Sequence, residues 1–152
     1  MNPYHPDAYL NLAYLYLEDP SPLRSPERAL SHALKIVELD GGRQAFSVLG
    51  QAYFRLGRFE DAITALNHDS KVETESRRGV DWLVLAMCQH RLGRSAEAEQ
   101  SYQQAVKWRQ SKNADVQSGG GLSRFDSWRS EAERVLGKSS TKPPTAAPPS
   151  KE

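Results

Sequence analysis

Cysteine and long apolar runs are what this 152-residue chain most lacks. Its one cysteine, Cys88, excludes an internal disulfide and a cysteine-rich metal site. Its apolar runs are short and broken by charged residues, which excludes a membrane span. The first residues hold no basic segment followed by an apolar one, so we expect no signal peptide and a cytoplasmic protein.

Neither sign of charge dominates the chain. Lys and Arg number 20 and Asp and Glu number 19, which gives a formal net charge of +1. This balance removes the electrostatic basis for nucleic acid as the main partner. Hydrophobic residues make up 38% of the chain, with three Trp, six Tyr and four Phe among them. Such a composition excludes a mostly disordered chain and fits one domain with a modest core.

Proline is absent between Glu27 and Lys142. Because proline removes a backbone donor and clashes with the preceding turn, this stretch has room for several helices. Apolar residues recur at the i, i+3, i+4, i+7 spacing of a helix, and no segment alternates with a period of two. The sequence therefore predicts no sheet and seven helices, at about residues 6–18, 26–39, 43–56, 59–70, 78–92, 95–111 and 124–136.

Two of these helices have capping signals at their starts. The run Ser25-Pro26-Glu27 reads as an N-cap, a first-turn proline and a first-turn acid. Ser123, with Asp126 three residues later, resembles a capping box. The composition of residues 113–121, which end in three glycines, predicts a flexible loop before the last helix.

The sequence matches itself when it is shifted by 36 residues. The run Arg55-Leu56-Gly57-Arg58 returns as Arg91-Leu92-Gly93-Arg94, and Val48-Leu49 returns as Val84-Leu85. A period of this length is typical of stacked supersecondary units, here pairs of helices joined by a turn.

The repeated pattern resembles the tetratricopeptide repeat, which runs W-x-x-L-G-x-x-Y and then A-x-x-x-F. The second unit carries Phe46, Leu49, Gly50, Tyr53, Gly57, Phe59, Ala62 and Leu66; the third carries Trp82, Leu85, Ala86, Gly93, Ala98, Tyr102 and Ala105; the first carries Tyr9, Leu12, Ala13, Tyr16, Ala29 and Ala33. The resemblance implies an all-α fold, a right-handed α-solenoid of three helix–turn–helix units followed by a C-terminal capping helix.

We expect two regions, a repeat domain over residues 1–137 and a disordered, proline-rich tail over residues 138–152. The capping helix at 124–136 closes the repeat domain. Its apolar residues are expected to cover the last repeat and its charged residues to remain in solvent. The first set is Phe125, Trp128, Val135 and Leu136, and the second is Arg129, Glu131, Glu133 and Arg134.

No group of residues predicts catalysis, a metal or a cofactor. The four histidines, His5, His32, His68 and His90, lie far apart, and the chain has no CxxC, HExxH or Asp-rich calcium loop. Cys88 follows the apolar Met87, and we interpret it as a small core residue rather than a nucleophile. The sequence therefore predicts a protein that is not an enzyme.

The resemblance places the candidate binding site on the first helix of each unit. In tetratricopeptide arrays these helices line a concave groove that holds an extended peptide or a partner helix. The implied groove residues are Leu10, Asn11, Tyr14, Leu17, Gln44, Ser47, Gln51, Phe54, Arg55, Val80, Leu83, Met87, His90 and Arg91. The alternative for any one of them is that the last helix or a missing neighbour covers it.

The expected partner is a protein or peptide, with neither nucleic acid nor a membrane involved. Family members that bind a chaperone's C-terminal carboxylate carry Lys, Asn and Arg where this chain has Leu10, Tyr14, Val48, Val80 and Val84. The sequence thus argues against that ligand and favours an apolar or mixed one.

Two alternative functions remain open. One is self-association through the open first unit, where exposed Tyr4, Tyr9 and Leu23 would favour a homo-oligomer. The other is an accessory region of a signalling protein, because the third unit also resembles repeats appended to bacterial serine/threonine kinases. No kinase motif is present in this chain.

Overall fold

The computed structural model describes residues 5–17, 22–39, 41–68, 79–112 and 120–138. These residues form seven helices and no strand: α1 (Pro6–Leu17), α2 (Pro26–Leu39), α3 (Arg43–Arg55), α4 (Phe59–Leu66), α5 (Gly79–Arg91), α6 (Ser95–Lys112) and α7 (Gly120–Leu136). The predicted all-helical repeat architecture is confirmed. Within the described ranges, no helix has the length and apolar character needed to cross a bilayer. The predicted tail lies outside them, apart from Lys138.

Two of the predicted helix ends were wrong. The last helix starts at Gly120, so Ser123 and Asp126 lie inside it and not at its start. The second and third glycines of the predicted loop are therefore helical. Tertiary packing of an apolar face outweighs weak helix propensity, and here the buried Phe125 follows within two turns. Helix α4 ends at Leu66, four residues before its predicted end.

The start of α2 follows its predicted capping signal. The hydroxyl of Ser25 accepts a hydrogen bond from the Arg28 N–H at 3.4 Å, and the Ser25 carbonyl accepts the Ala29 N–H at 3.0 Å. This N-cap satisfies donors that the first turn of a helix cannot pair internally.

The turns at Gly57 and Gly93 have the same backbone conformation. Their φ angles are +76° and +79°, in the left-handed region that favours glycine. In each turn the N–H of the next residue, Arg58 or Arg94, donates to the carbonyl five residues earlier, at 2.9 and 2.8 Å. Residues 36 positions apart in sequence therefore occupy equivalent positions in successive units.

Small residues lie where helices of the array approach closely. Ala29, Ala62 and Ala98, one in the second helix of each unit, are fully buried. A Cβ added to Gly50 would lie 2.6 Å from the side chain of Leu66, so α3 and α4 touch at this glycine. The packing explains why a helix interior tolerates a residue with low helix propensity.

Consecutive helices pack on each other in chain order from α1 to α6. The segment that joins α4 to α5, residues 69–78, lies outside the described ranges. The first helices of successive units also contact each other, α1 with α3 and α3 with α5. We call the surface that these three helices share the inner face. It carries Tyr14 on α1 and Gln51, Phe54 and Arg55 on α3, which contact the last helix.

Candidate interaction surface on the inner face

Helix α7 packs on α5 of the third unit, and its side chains also reach the first and second units. A helix that continued the array would contact only the third unit, α5 and α6. The Arg124 guanidinium instead lies 3.9 Å from the ring centroid of Tyr14, on the first unit. It also donates a 3.1 Å hydrogen bond to Gln51 on the second unit. Among the described helices α1 packs on neither α5 nor α7, so the Arg124 side chain makes the link between α7 and the first unit.

Two aromatic side chains anchor α7. Phe125 is fully buried, and its ring centroid lies 5.4 Å from that of Trp108 on α6. Trp128 is almost fully buried, with its centroid 6.0 Å from that of Phe54 on α3. Gly79, the first residue of α5, lies directly against Trp108 and Phe125, and a Cβ added there would be 2.7 Å from the Phe125 ring. The absence of a side chain at Gly79 therefore makes room for the first anchor.

Arg55 pairs with α7 from within the apolar part of the inner face. Its side chain is 8% exposed, and its guanidinium lies 4.2 Å from the centroid of the Trp128 indole. The same guanidinium donates to Glu131 on α7, whose side chain is 23% exposed. The Arg55 Nε has no partner in the described part of the chain. Because a buried cation left without its anion is costly, this pair fixes α7 on α3.

A chain of buried polar groups connects α5, α3 and α7. The Ser47 hydroxyl donates to the Asp81 carboxylate, and the Gln51 amide donates to the Ser47 oxygen at 3.3 Å. Gln51 in turn accepts the bond from Arg124. Such a network is strong in low dielectric only when its members are paired, so it specifies how the three helices align.

A second polar cluster holds the C-terminal half of α7. The Tyr102 hydroxyl and the Arg129 Nε both donate to one oxygen of Glu133, at 2.9 and 3.0 Å. Burial, followed by the bond to Glu133, raises the pKa of the Tyr102 hydroxyl. Glu133 is 4% exposed, so the prediction that it remains in solvent was wrong. Two donors compensate its carboxylate, as buried polar groups require.

Comparison with known families matches the tetratricopeptide repeat at residues 23–68 and 82–112. The chain is a tetratricopeptide repeat protein. The two matches cover α2 to α4 and most of α5 with α6. No curated protein matches the chain. Tetratricopeptide repeats generally mediate contacts between proteins and are typically non-catalytic.

In this tetratricopeptide array, the predicted groove residues fall into three sets according to their exposure. Leu17, Ser47, Gln51, Phe54, Leu83 and Met87 are buried; Leu10, Tyr14, Val80 and His90 are partly buried; Asn11, Gln44 and Arg91 are exposed. Arg55 is partly buried as a whole residue, and its side chain is 8% exposed. The buried set serves the core or the contact with α7. The exposed surface of the inner face is thus concentrated on α1 and at the start of α3, with Arg91 at the far end of α5.

Asp81 on α5 and Arg124 on α7 take part in the contact between α7 and the inner face, and neither was predicted from the sequence. Asp81 comes just before the aromatic Trp82 that marks the third tetratricopeptide unit, and it is buried against Ser47. An acid in the first turn of a helix is typical of a solvated charge near the helix N-terminus, so no local signal distinguishes a buried acid from a solvated one at this position. Arg124 comes just before the buried stripe of α7, and only the fold shows that Tyr14 lies opposite it.

In the described ranges of the array, no three His, Cys, Asp and Glu residues lie together in a way that could hold a metal ion. Cys88 is fully buried, as expected, and burial raises the pKa of its thiol to about 12. The thiol is therefore protonated at neutral pH and is a poor nucleophile. His68 stacks on Phe46 with centroids 3.8 Å apart, which is a packing role.

Proposed function

We propose that this tetratricopeptide repeat protein is a non-catalytic interaction module that binds a peptide or a partner helix on its inner face. The observation that carries the proposal is the position of α7, a helix held on that face by Phe125 and Trp128 and by the pair between Arg55 and Glu131. Aromatic anchors with a charged rim are the usual composition of a protein interface.

The open part of the inner face favours an apolar or mixed ligand over a carboxylate. Leu10 and Tyr14 are partly exposed on α1, beside the exposed Asn11. Val48 and Val84, at positions where carboxylate-binding relatives carry polar side chains, are fully buried and apolar. The two valine side chains offer no hydrogen-bond donors to a C-terminal carboxylate. The placement therefore supports a partner other than a chaperone tail.

Affinity capture with a charged inner face tests this proposal. The double variant Leu10→Glu/Asn11→Glu changes the exposed Asn11 and the partly buried Leu10, which packs against the core, so some loss of stability is expected beside the loss of binding. We expect its affinity for the partner to fall by about fivefold or more, since a disruptive substitution in the core of an interface costs about 1 kcal/mol or more of binding free energy. The matched control is Gln103→Glu/Gln104→Glu on the exposed side of α6.

Equal capture by the α1 variant and by wild type would remove the inner face from consideration. Phe54 and Met87 are unsuitable for this test because both are buried in the core. Circular dichroism of each variant checks that the loss is not caused by unfolding.

Self-association is the second candidate, and a specific feature of the first unit favours it. Large apolar side chains with exposures of 39–53% are Leu12, Leu15, Leu23, Leu34 and Leu39, all within that unit. Leu23 is exposed as expected, Tyr9 is half-buried, and Tyr4 lies outside the described residues. The concentration of these exposed apolar side chains in one unit favours a contact site there. Light scattering that gives 17.0 kDa at every concentration would exclude a homo-oligomer.

A further inference from the structure

We infer that the inner face is a receptor for an amphipathic helix with aromatic side chains at positions i and i+3 and a carboxylate at i+6, and that α7 occupies it as an internal ligand. This inference rests on the proposed function and adds the chemistry of the partner. In α7 the three positions are Phe125, Trp128 and Glu131.

The i, i+3, i+6 spacing follows from the places on the repeat units that these three side chains contact. Positions i, i+3 and i+6 follow one side of a helix. The first meets the space beside Gly79, the second meets Phe54, and the third meets the Arg55 guanidinium. Arg55 is more than nine-tenths buried, so any helix that replaces α7 must supply a carboxylate for it. That requirement selects among amphipathic helices, since most of them place no acid at this point.

The contact of α7 with the repeat units combines large buried aromatic side chains with the small, fully buried Ala132. Small residues such as Gly50, Ala62 and Ala98 lie where the helices of a unit approach closely. The α7 contact has two large aromatic anchors surrounded by charged pairs, which is the composition of a contact between separate proteins. A further charged pair lies outside the inner face, where the Lys138 ammonium, just after α7, is 2.7 Å from Glu99 on α6.

The first experiment adds a fluorescent peptide with the sequence of residues 120–138 to the full chain and measures anisotropy. In wild type the tethered α7 competes at an effective concentration of about millimolar, so added peptide binds poorly. Phe125→Ala in the chain weakens the internal helix and leaves the receptor residues intact. We expect this variant to bind the peptide at least about tenfold more tightly than wild type does. A peptide that itself carries Phe125→Ala is the matched control and should not bind.

The second experiment exchanges the charges of the ion pair. A chain with Arg55→Glu repels its own Glu131 and should prefer a peptide with Glu131→Arg over the wild-type peptide by about tenfold. Arg91 is the matched control, because it occupies the equivalent place 36 residues later and is exposed. Arg91→Glu should produce no such preference.

Each outcome has one interpretation. If circular dichroism shows that Phe125→Ala does not fold, Glu131→Gln replaces it, since that side chain is partly exposed. Tighter peptide binding together with the charge-exchange preference supports the inference. The inference is overturned if no folded variant binds the peptide, or if wild type and the variants bind it equally. In either case α7 is a permanent cap. The capture test on Leu10 and Asn11 does not depend on α7, so the proposed function can survive that failure.

Discussion

Arg55 and Glu131 lie 76 positions apart in the sequence and form an ion pair across the inner face. The pair joins the second repeat unit to the last helix, with the Trp128 ring beside the guanidinium. It combines a charge that is almost fully buried with one that is partly exposed. The energetic consequence is asymmetric, because removing either partner alone leaves the other without compensation.

Glu131→Ala should therefore destabilise the protein. A fully buried pair loses about 3–5 kcal/mol when one partner is removed, and the exposure of Glu131 reduces the expected loss to about 1–3 kcal/mol. Urea unfolding followed by tryptophan fluorescence measures it. The double variant Arg55→Leu/Glu131→Leu removes both charges and should recover most of the loss. A single variant as stable as wild type would show that the pair contributes nothing.

Gly79→Ala should also destabilise the fold, because the new methyl group collides with Trp108 and Phe125. Overpacking of this kind costs about 1–3 kcal/mol. Thermal unfolding measures the loss, and hydrogen exchange should show α7 opening more readily. Gln100→Ala, on the exposed side of α6, is the control substitution and should have little effect. A Gly79→Ala protein with the melting temperature of wild type would place the Phe125 anchor elsewhere.

Ala98→Leu should overpack the hairpin of the third unit. Ala98 is fully buried, whereas Ala96 on the same helix is exposed. We expect a loss of about 1–3 kcal/mol for Ala98→Leu and almost none for Ala96→Leu. Urea midpoints of the two variants make the comparison. If both variants unfold at the same midpoint, the two alanines do not differ in packing as the structure indicates.

The repeat array was predictable because its signals are local. The run Leu-Gly-Arg marks the turns at Gly57 and Gly93, where the positive φ angle favours glycine. The 36-residue period indicates which helices pair. The position of α7 had no such signal. The stripe of Phe125 and Trp128 predicts a buried side but does not identify which helices cover it. That choice depends on contacts such as Arg124 with Tyr14, which lie far apart in sequence.

Dependence on contacts between residues far apart in sequence also explains why the burial of Glu133 on α7 was not predicted. Sequence alone places an acid such as Glu133 in solvent, because acids are seldom buried without partners. Its partners are Arg129, four residues away on the same helix, and Tyr102, which the fold brings from α6. The pairing with Tyr102 is tertiary, so the burial of Glu133 followed only from the structure.

The first unit should lose stability on acidification through His32. The ring of His32 stacks on Tyr16 with centroids 5.5 Å apart, and burial, followed by the charge of Arg28, lowers the pKa of His32 from 6.5. The folded state therefore prefers the neutral imidazole. The stabilisation is fully present above the unfolded pKa of about 6.5, and it is lost as the pH falls through the lower folded pKa. Urea midpoints at pH 7.5 and pH 5 measure this loss. His32→Gln should reduce the difference between the two midpoints, and an unchanged difference would assign the pH dependence to other groups.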